Sequence, residues 1–101
     1  MYTVFSTFDV PPEKSEEVIS IYQNRSHSVD EATGFVDFFL LQNEKRPGEI
    51  TVQLLFDTKD NYLAWVRGED FKRIHELEKK YPDQDLASII PKVSQHKVVA
   101  R

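Results

Sequence analysis

FVDFFLLQNEKRPGEITVQLLF, residues 35–56, is the stretch whose reading decides the fold. Its second half alternates Ile50, Val52, Leu54 and Phe56 against Thr51, Gln53 and Leu55, the period of a strand with one side buried. Its first half, residues 35–43, sets Phe35, Asp37, Phe39 and Leu41 on one side and Val36, Phe38 and Leu40 on the other, so large apolar groups project both ways. Between the halves, EKRPGE carries the Pro-Gly chemistry of a tight turn, which makes the two strands antiparallel neighbours. A sheet covered on one side only has no use for Phe and Leu on both sides of a strand. Each side needs a partner.

Upstream, YTVFSTFD, residues 2–9, alternates Tyr2, Val4, Ser6 and Phe8 with Thr3, Phe5, Thr7 and Asp9, and predicts another strand in which Thr7 shares a side with Phe5. Pro11 and Pro12 end it, and Pro12 suits the first turn of a helix, where its missing N–H is no loss. Glu13, Glu16 and Glu17 favour that positive end. The helix is expected to run to about Ser28, burying Val18, Ile19, Tyr22 and Val29, with Gly34 supplying positive φ before the next strand.

Downstream, Asp57 and Thr58 are cap-type residues, and DNYLAWVRGEDFKRIHELEKK, residues 60–80, holds two short helical patterns. Tyr62, Leu63, Trp65 and Val66 form the apolar side of the first, and Phe71, Ile74, His75 and Leu77 that of the second. Gly68 lies between them. A glycine inside a helix costs about 1 kcal/mol relative to alanine, so it marks a break. YPDQDLASIIP, residues 81–91, reads as a loop or short turn, and KVSQHKVVA, residues 92–100, as the last strand.

The order is βαββαβ with the second helical element in two pieces, an α+β, ferredoxin-like arrangement with a four-stranded antiparallel sheet. Right-handed crossovers put both helical layers on one side of that sheet. The economical cover for the other side is the same surface of a second copy, an isologous homodimer.

A chain of 101 residues is expected to form one domain, 1–101, so a larger pocket needs a second subunit to complete it. Absence of cysteine excludes disulfides, thiolate ligation, iron–sulfur clusters and thiol catalysis, and fits a reducing cytoplasm. Net charge is −4 with basic residues scattered among acids, so neither nucleic acid nor an anionic membrane is indicated as a partner. No segment approaches the roughly 20 apolar residues of a membrane span, and the N-terminus lacks a leader pattern. The expectation is a soluble, unprocessed, cytoplasmic protein.

The chain's one Trp, Trp65, and His75 ten positions on can converge from the two helical pieces. His75 shares a helix side with Phe71, four residues before it. Two readings fit: a core indole with a boundary imidazole bonded to a carbonyl or water, or an imidazole in an apolar cleft ready to ligate a flat, metal-bearing cofactor. Composition does not choose between them.

The chain resembles the dimeric α+β barrel proteins of the antibiotic-biosynthesis-monooxygenase superfamily and, within it, the IsdG-like haem-degrading monooxygenases. The resemblance spans essentially the whole length and is carried by Gly34-Phe35 and by WVRGEDFKRIH, residues 65–75. It implies haem as both substrate and cofactor, held between helices and sheet, with His75 as axial iron ligand, Trp65 pressing on the porphyrin and Phe71 beside it. Ring cleavage would use O₂ and electrons from an external reductant, such as a partner reductase, and would release iron. The family's third catalytic residue, an Asn of the first strand, is represented here by Thr7, which has a shorter donor.

Two other activities remain open on these residues: a haem carrier without turnover, and a cofactor-free monooxygenase acting on a quinol or polyketide-like aromatic, with His75 as base or hydrogen-bond partner. Arg25, Arg67 and Lys72 are of a type to meet carboxylates, but we read each as solvated charge. His27 and His96 receive no role, and the three histidines are too far apart in sequence for a zinc motif.

Overall fold

The computed structural model describes residues 1–83, 86 and 89–101. Among them the elements are β1 (Tyr2–Asp9), α1 (Ser15–Gln23), β2 (Phe35–Gln42), β3 (Glu49–Phe56), α2 (Lys59–Val66), α3 (Glu69–Lys79) and β4 (Lys92–Lys97), with 3-10 turns at Pro12–Lys14 and Ser28–Glu31. The sheet order is β2-β3-β1-β4 and every pairing is antiparallel, the ferredoxin-like topology. The loop expected over 81–91 lies partly outside the described residues.

Register decides which side chains meet the helices. β1 and β3 pair Tyr2 with Phe56, Val4 with Leu54, Ser6 with Val52 and Phe8 with Ile50, and these eight share the helix-facing side. Tyr2, Val4 and Phe56 are buried there with Val29 and Tyr62, while Ile50 is buried with Val10 and Val18. The Phe56 ring meets Tyr62 at 5.7 Å and Phe35 at 6.0 Å, both edge-on. Phe56 and Ile50 are fully enclosed, and each such burial stabilises the fold by about 1.5–3 kcal/mol.

The expected alternation fails at one end of β2. Phe35 pairs with Phe56, yet the next pair is Asp37 with Leu55, so Val36 is an extra residue in a β-bulge. It is left 46% exposed. The bulge shifts the phase, bringing Phe35 to the helix-facing side with Phe38 and Leu40 instead of leaving it with Phe39 and Leu41. Asp37, Phe39 and Leu41 remain on the open side beside Leu55, Gln53 and Thr51. Phe39 and Leu41 are exposed there, the apolar surface for which the sequence predicts a second copy.

α1 is shorter than expected. Pro12 opens a 3-10 turn, the buried Ser15 hydroxyl donates to the Pro12 carbonyl at 2.8 Å, and α1 proper begins at Ser15. It stops at Gln23, and the Asn24 side-chain amide donates to the Ser20 carbonyl at 2.8 Å. His27 then takes the left-handed conformation, φ 62°, and starts the turn that carries Val29 into the core. Val29 is buried as predicted, but from this turn and not from α1.

Gly34 has φ 80°, as expected, and its carbonyl accepts the Asp57 N–H at 2.8 Å. Thr58 caps α2, its hydroxyl accepting the Asn61 N–H at 3.2 Å. Gly68 separates α2 from α3 and caps the latter, so the break falls where predicted. α3 departs from expectation in burial, because none of its residues is buried and Leu77 is 63% exposed. Its main neighbours are α2 and the 3-10 turn at Ser28–Glu31. β4 ends at Lys97, short of the predicted residue 100, with every residue exposed. Among the described residues no helix is long and apolar enough to cross a membrane.

Candidate functional site

Trp65 comes from α2, where Tyr62 anchors the helix in the core and Thr58 fixes its start. Trp65 itself is half-buried against that core. One turn into α3, the Phe71 ring meets the Trp65 indole edge-on at 6.1 Å, and the His75 ring lies 4.1 Å from Phe71. The two residues singled out in the sequence are therefore linked through Phe71. Gly68 makes this possible by ending one helix and starting the next within a few residues.

The His75 ring is oriented by its own helix. Its Nδ1 lies 3.0 Å from the Phe71 carbonyl oxygen, which only accepts, so Nδ1–H donates. The imidazole is exposed, however, and does not project into an enclosed apolar cleft, one of the two placements the sequence left open. Helical periodicity put His75 beside Phe71 correctly; what it does not report is whether anything packs over that stripe.

Thr7 is not brought to this cluster. Its hydroxyl is 2.9 Å from that of Thr51 on the open side of the sheet, near Phe5, whose ring meets His96 edge-on at 5.5 Å. The adjacent Ser6 has the parity of Tyr2, Val4 and Phe8 and faces the helices. Neighbouring residues of a strand project to opposite sides, so Ser6 and Thr7 face different layers.

A second residue escaped the sequence reading. Arg25 is not solvated charge: its side chain is only 19% exposed, and its guanidinium lies 4.0 Å from the Phe38 ring centre. Phe38 stacks on Tyr22 at 6.3 Å, and Tyr22 reaches Phe8 at 6.3 Å. Burial, with Glu78 of α3 adding its charge, pushes the Tyr22 phenol up to about 12. Arg25 Nη1 donates to Asp30 Oδ1 at 2.9 Å and Nη2 to Oδ2 at 3.4 Å, while His27 Nδ1–H donates to Oδ2 at 3.1 Å. The guanidinium bond, followed by that of His27, holds the Asp30 carboxyl below its usual range.

Arg67 is exposed, as expected, and Lys72 is exposed near Glu69, 3.9 Å away. An open cleft of about 380 Å³ borders the outer side of Trp65, lined also by Glu31, Thr33, Asn61 and Asp70. Another of about 530 Å³ lies at the sheet end by Met1, Gln95 and Lys97. Neither includes His75. Among the described residues no cluster of three or more His, Cys, Asp or Glu could hold a metal ion. The chemistry on offer at α3 is thus one exposed imidazole, oriented through Nδ1, beside the Phe71 and Trp65 rings.

Comparison with known proteins agrees with the topology. The family profile described as antibiotic biosynthesis monooxygenase matches residues 1–77. The haem degrader MhuD of Mycobacterium tuberculosis, solved with two haems bound in its active site, superposes with a TM-score of 0.79 at 19% identity, covering 100% of this chain and 98% of that one. A conserved protein of Methanosarcina mazei gives 0.71 at 18%, covering 95% and 90%. A Deinococcus radiodurans protein assigned to the antibiotic biosynthesis monooxygenases gives 0.76 at 9%, covering 100% and 95%. At such identities the likeness speaks for the fold. Among curated protein sequences there is no match.

Proposed function

The chain belongs to the antibiotic biosynthesis monooxygenase family, and from that premise we propose that it is a haem-binding monooxygenase that opens the porphyrin ring and releases iron, working as a homodimer. The observation that carries this reading is the Phe71–His75 hydrogen bond, which engages Nδ1 and leaves Nε2 as the ring nitrogen that would meet a ligand. A histidine that ligates a metal commonly has its other nitrogen held by a carbonyl in this way. The donor set fits: the protein offers one imidazole nitrogen beside two aromatic rings, and a porphyrin brings the remaining iron ligands.

When bound, haem supplies both the iron at which O₂ is reduced by external electrons and the ring that is oxidised. The protein's part is positional. His75 would fix the iron, and Phe71 and Trp65 would bear on the ring. Ser6, in the role first expected of Thr7, is the β1 hydroxyl that faces the helical layer and could donate a hydrogen bond there. Exposure of His75 means that a single chain does not enclose the ligand, so pairing of two copies or inward movement of α3 would be needed to exclude water. Phe39 and Leu41 on the open side supply the apolar surface for pairing.

The test is a hemin titration followed by absorbance, on native protein and on His75→Ala, and then ascorbate in air with catalase present. We expect an intense new band that His75→Ala lacks, and loss of that band with release of iron on reduction. A band that survives reductant would make the protein a haem carrier. Absence of any titration would overturn haem binding and favour the second reading, a cofactor-free monooxygenase of aromatic substrates. The exposed position of His75, open to a small substrate and available as a base, is the observation that favours that alternative.

A further inference from the structure

We propose that the cleft between the edge strand β4 and the start of α2 is a separate binding site, which seats the phosphate group of a small phosphorylated organic molecule between Lys59 and Lys97. The cleft has a volume of about 530 Å³ and takes its lining from β1, β4 and the residues that open α2. That volume falls in the range of small-molecule pockets, roughly 300–1,000 Å³, and exceeds what a bare phosphate ion fills. No part of α3 borders it, so the inference is independent of the role given to His75.

Register builds one wall. β1 and β4 pair Tyr2 with Lys97 and Val4 with Gln95, so Gln95 and Lys97 share the helix-facing side with two buried residues. β4 is the edge of the sheet, and both side chains are left exposed there. The Val98 N–H donates to the Met1 carbonyl at 2.8 Å, which ties the end of this strand to β1. On the other wall, Phe56 is fully enclosed and Thr58 caps α2, so Lys59 opens a helix whose start is fixed. Two lysines far apart in sequence are thereby brought to one cleft.

Charge and hydrogen bonding then favour an anion. Among the described residues neither Lys59 nor Lys97 has an acidic partner, whereas Lys14, Arg25, Arg46, Lys72 and Arg73 each have one. Two lysines against Asp57 leave the cleft positive on a chain of net charge −4. Asp57 is already engaged, its Oδ1 accepting from Asn61 Nδ2 at 2.9 Å. The Tyr2 hydroxyl donates to Gln95 Oε1 at 2.7 Å, which orients the amide and leaves its Nε2 hydrogens to be donated to a ligand. Among the described residues no arginine lines the cleft, so the flat fork that selects carboxylates is missing. Two rotatable ammonium groups and an amide suit the dispersed oxygens of a tetrahedral phosphate dianion. Met1 and Tyr2 add apolar lining, which an organic body meets and a free phosphate ion does not.

Phenyl phosphate, inorganic phosphate and phenol, titrated by calorimetry at one ionic strength, separate the possible sources of binding. Each is added to the native protein and to Lys59→Gln, Lys97→Gln, Gln95→Ala and Lys92→Gln, all first checked for native circular dichroism. Lys92 is the control, since it pairs with Thr7 and faces the open side of the sheet. Phenyl phosphate should bind at least about threefold more tightly than inorganic phosphate, and phenol should not bind. Lys59→Gln and Lys97→Gln should each weaken phenyl phosphate by about three- to tenfold, Gln95→Ala by about two- to fivefold, and Lys92→Gln by less than about twofold. Equal affinity for inorganic phosphate would overturn the organic ligand. No binding to the native protein, or equal loss with Lys92→Gln, would overturn the site itself. Because no probe contains haem, either result leaves the reading of His75 where it stands.

Discussion

Replacing Gly34 by alanine should be among the most damaging single-methyl changes in the molecule. Gly34 sits at φ 80°, where a side chain costs about 1–2 kcal/mol in backbone strain. Its added Cβ would fall 2.8 Å from Asn61 Cβ and press on the Asp57 carboxylate, parting the 2.9 Å bond from Asn61 Nδ2 to Asp57 Oδ1. The strain alone comes to about 1–2 kcal/mol, or roughly 4–16 °C in Tm for a chain of this size. Urea denaturation at one fixed protein concentration measures it, since pairing of chains would make stability depend on concentration. In an Asn61→Ala background much of the crowding disappears, so the double variant should cost at least 0.5 kcal/mol less than the sum of the single ones. A Gly34→Ala protein within about 0.5 kcal/mol of native would refute the account.

Two further outcomes follow. Because burial raises the Tyr22 phenol to about 12 from 10.0, the folded state holds that proton when the unfolded chain would release it, so its contribution is intact below pH 10.0 and fades as pH rises through about 12. Absorbance titration should show a tyrosine ionising at about pH 12 that Tyr22→Phe removes; loss of an ordinary tyrosine instead would count against the burial. On the open side of the sheet, Phe39→Asp should leave the fold intact by circular dichroism and yield a monomer in sedimentation, whereas an unchanged native dimer would show that the copies meet elsewhere.

Much of the topology was legible because it depends on period and punctuation. Ile50 to Phe56 alternate cleanly, the Pro-Gly turn joins two strands, and Gly68 ends one helix and begins another. Phase was not legible. Val36 looks like any strand valine, yet as a bulge it sends Phe35 to the helices, a decision made by the pairing of β2 with β3. Ser6 and Thr7 are chemically alike, and only register tells which of them faces the helices. Coverage was equally hidden, since the stripe through Phe71, Ile74 and His75 predicts a side of α3 but not whether the chain packs anything against it. Arg25 was misjudged because its partners, Phe38 and Asp30, come from two other segments and neither spacing advertises them.

The shallow seating of α3 separates two tasks that most small folds mix. Stability resides in the sheet, α1 and α2, where Phe56, Ile50 and Tyr62 are enclosed, whereas the imidazole rides on a helix that contributes no buried residue. Changes along α3 outside Phe71 and His75 therefore trade against little of the folding energy. One scaffold supplied with such an inexpensive, replaceable arm is well placed to acquire new substrates by rewriting a dozen residues while its foundations stay untouched.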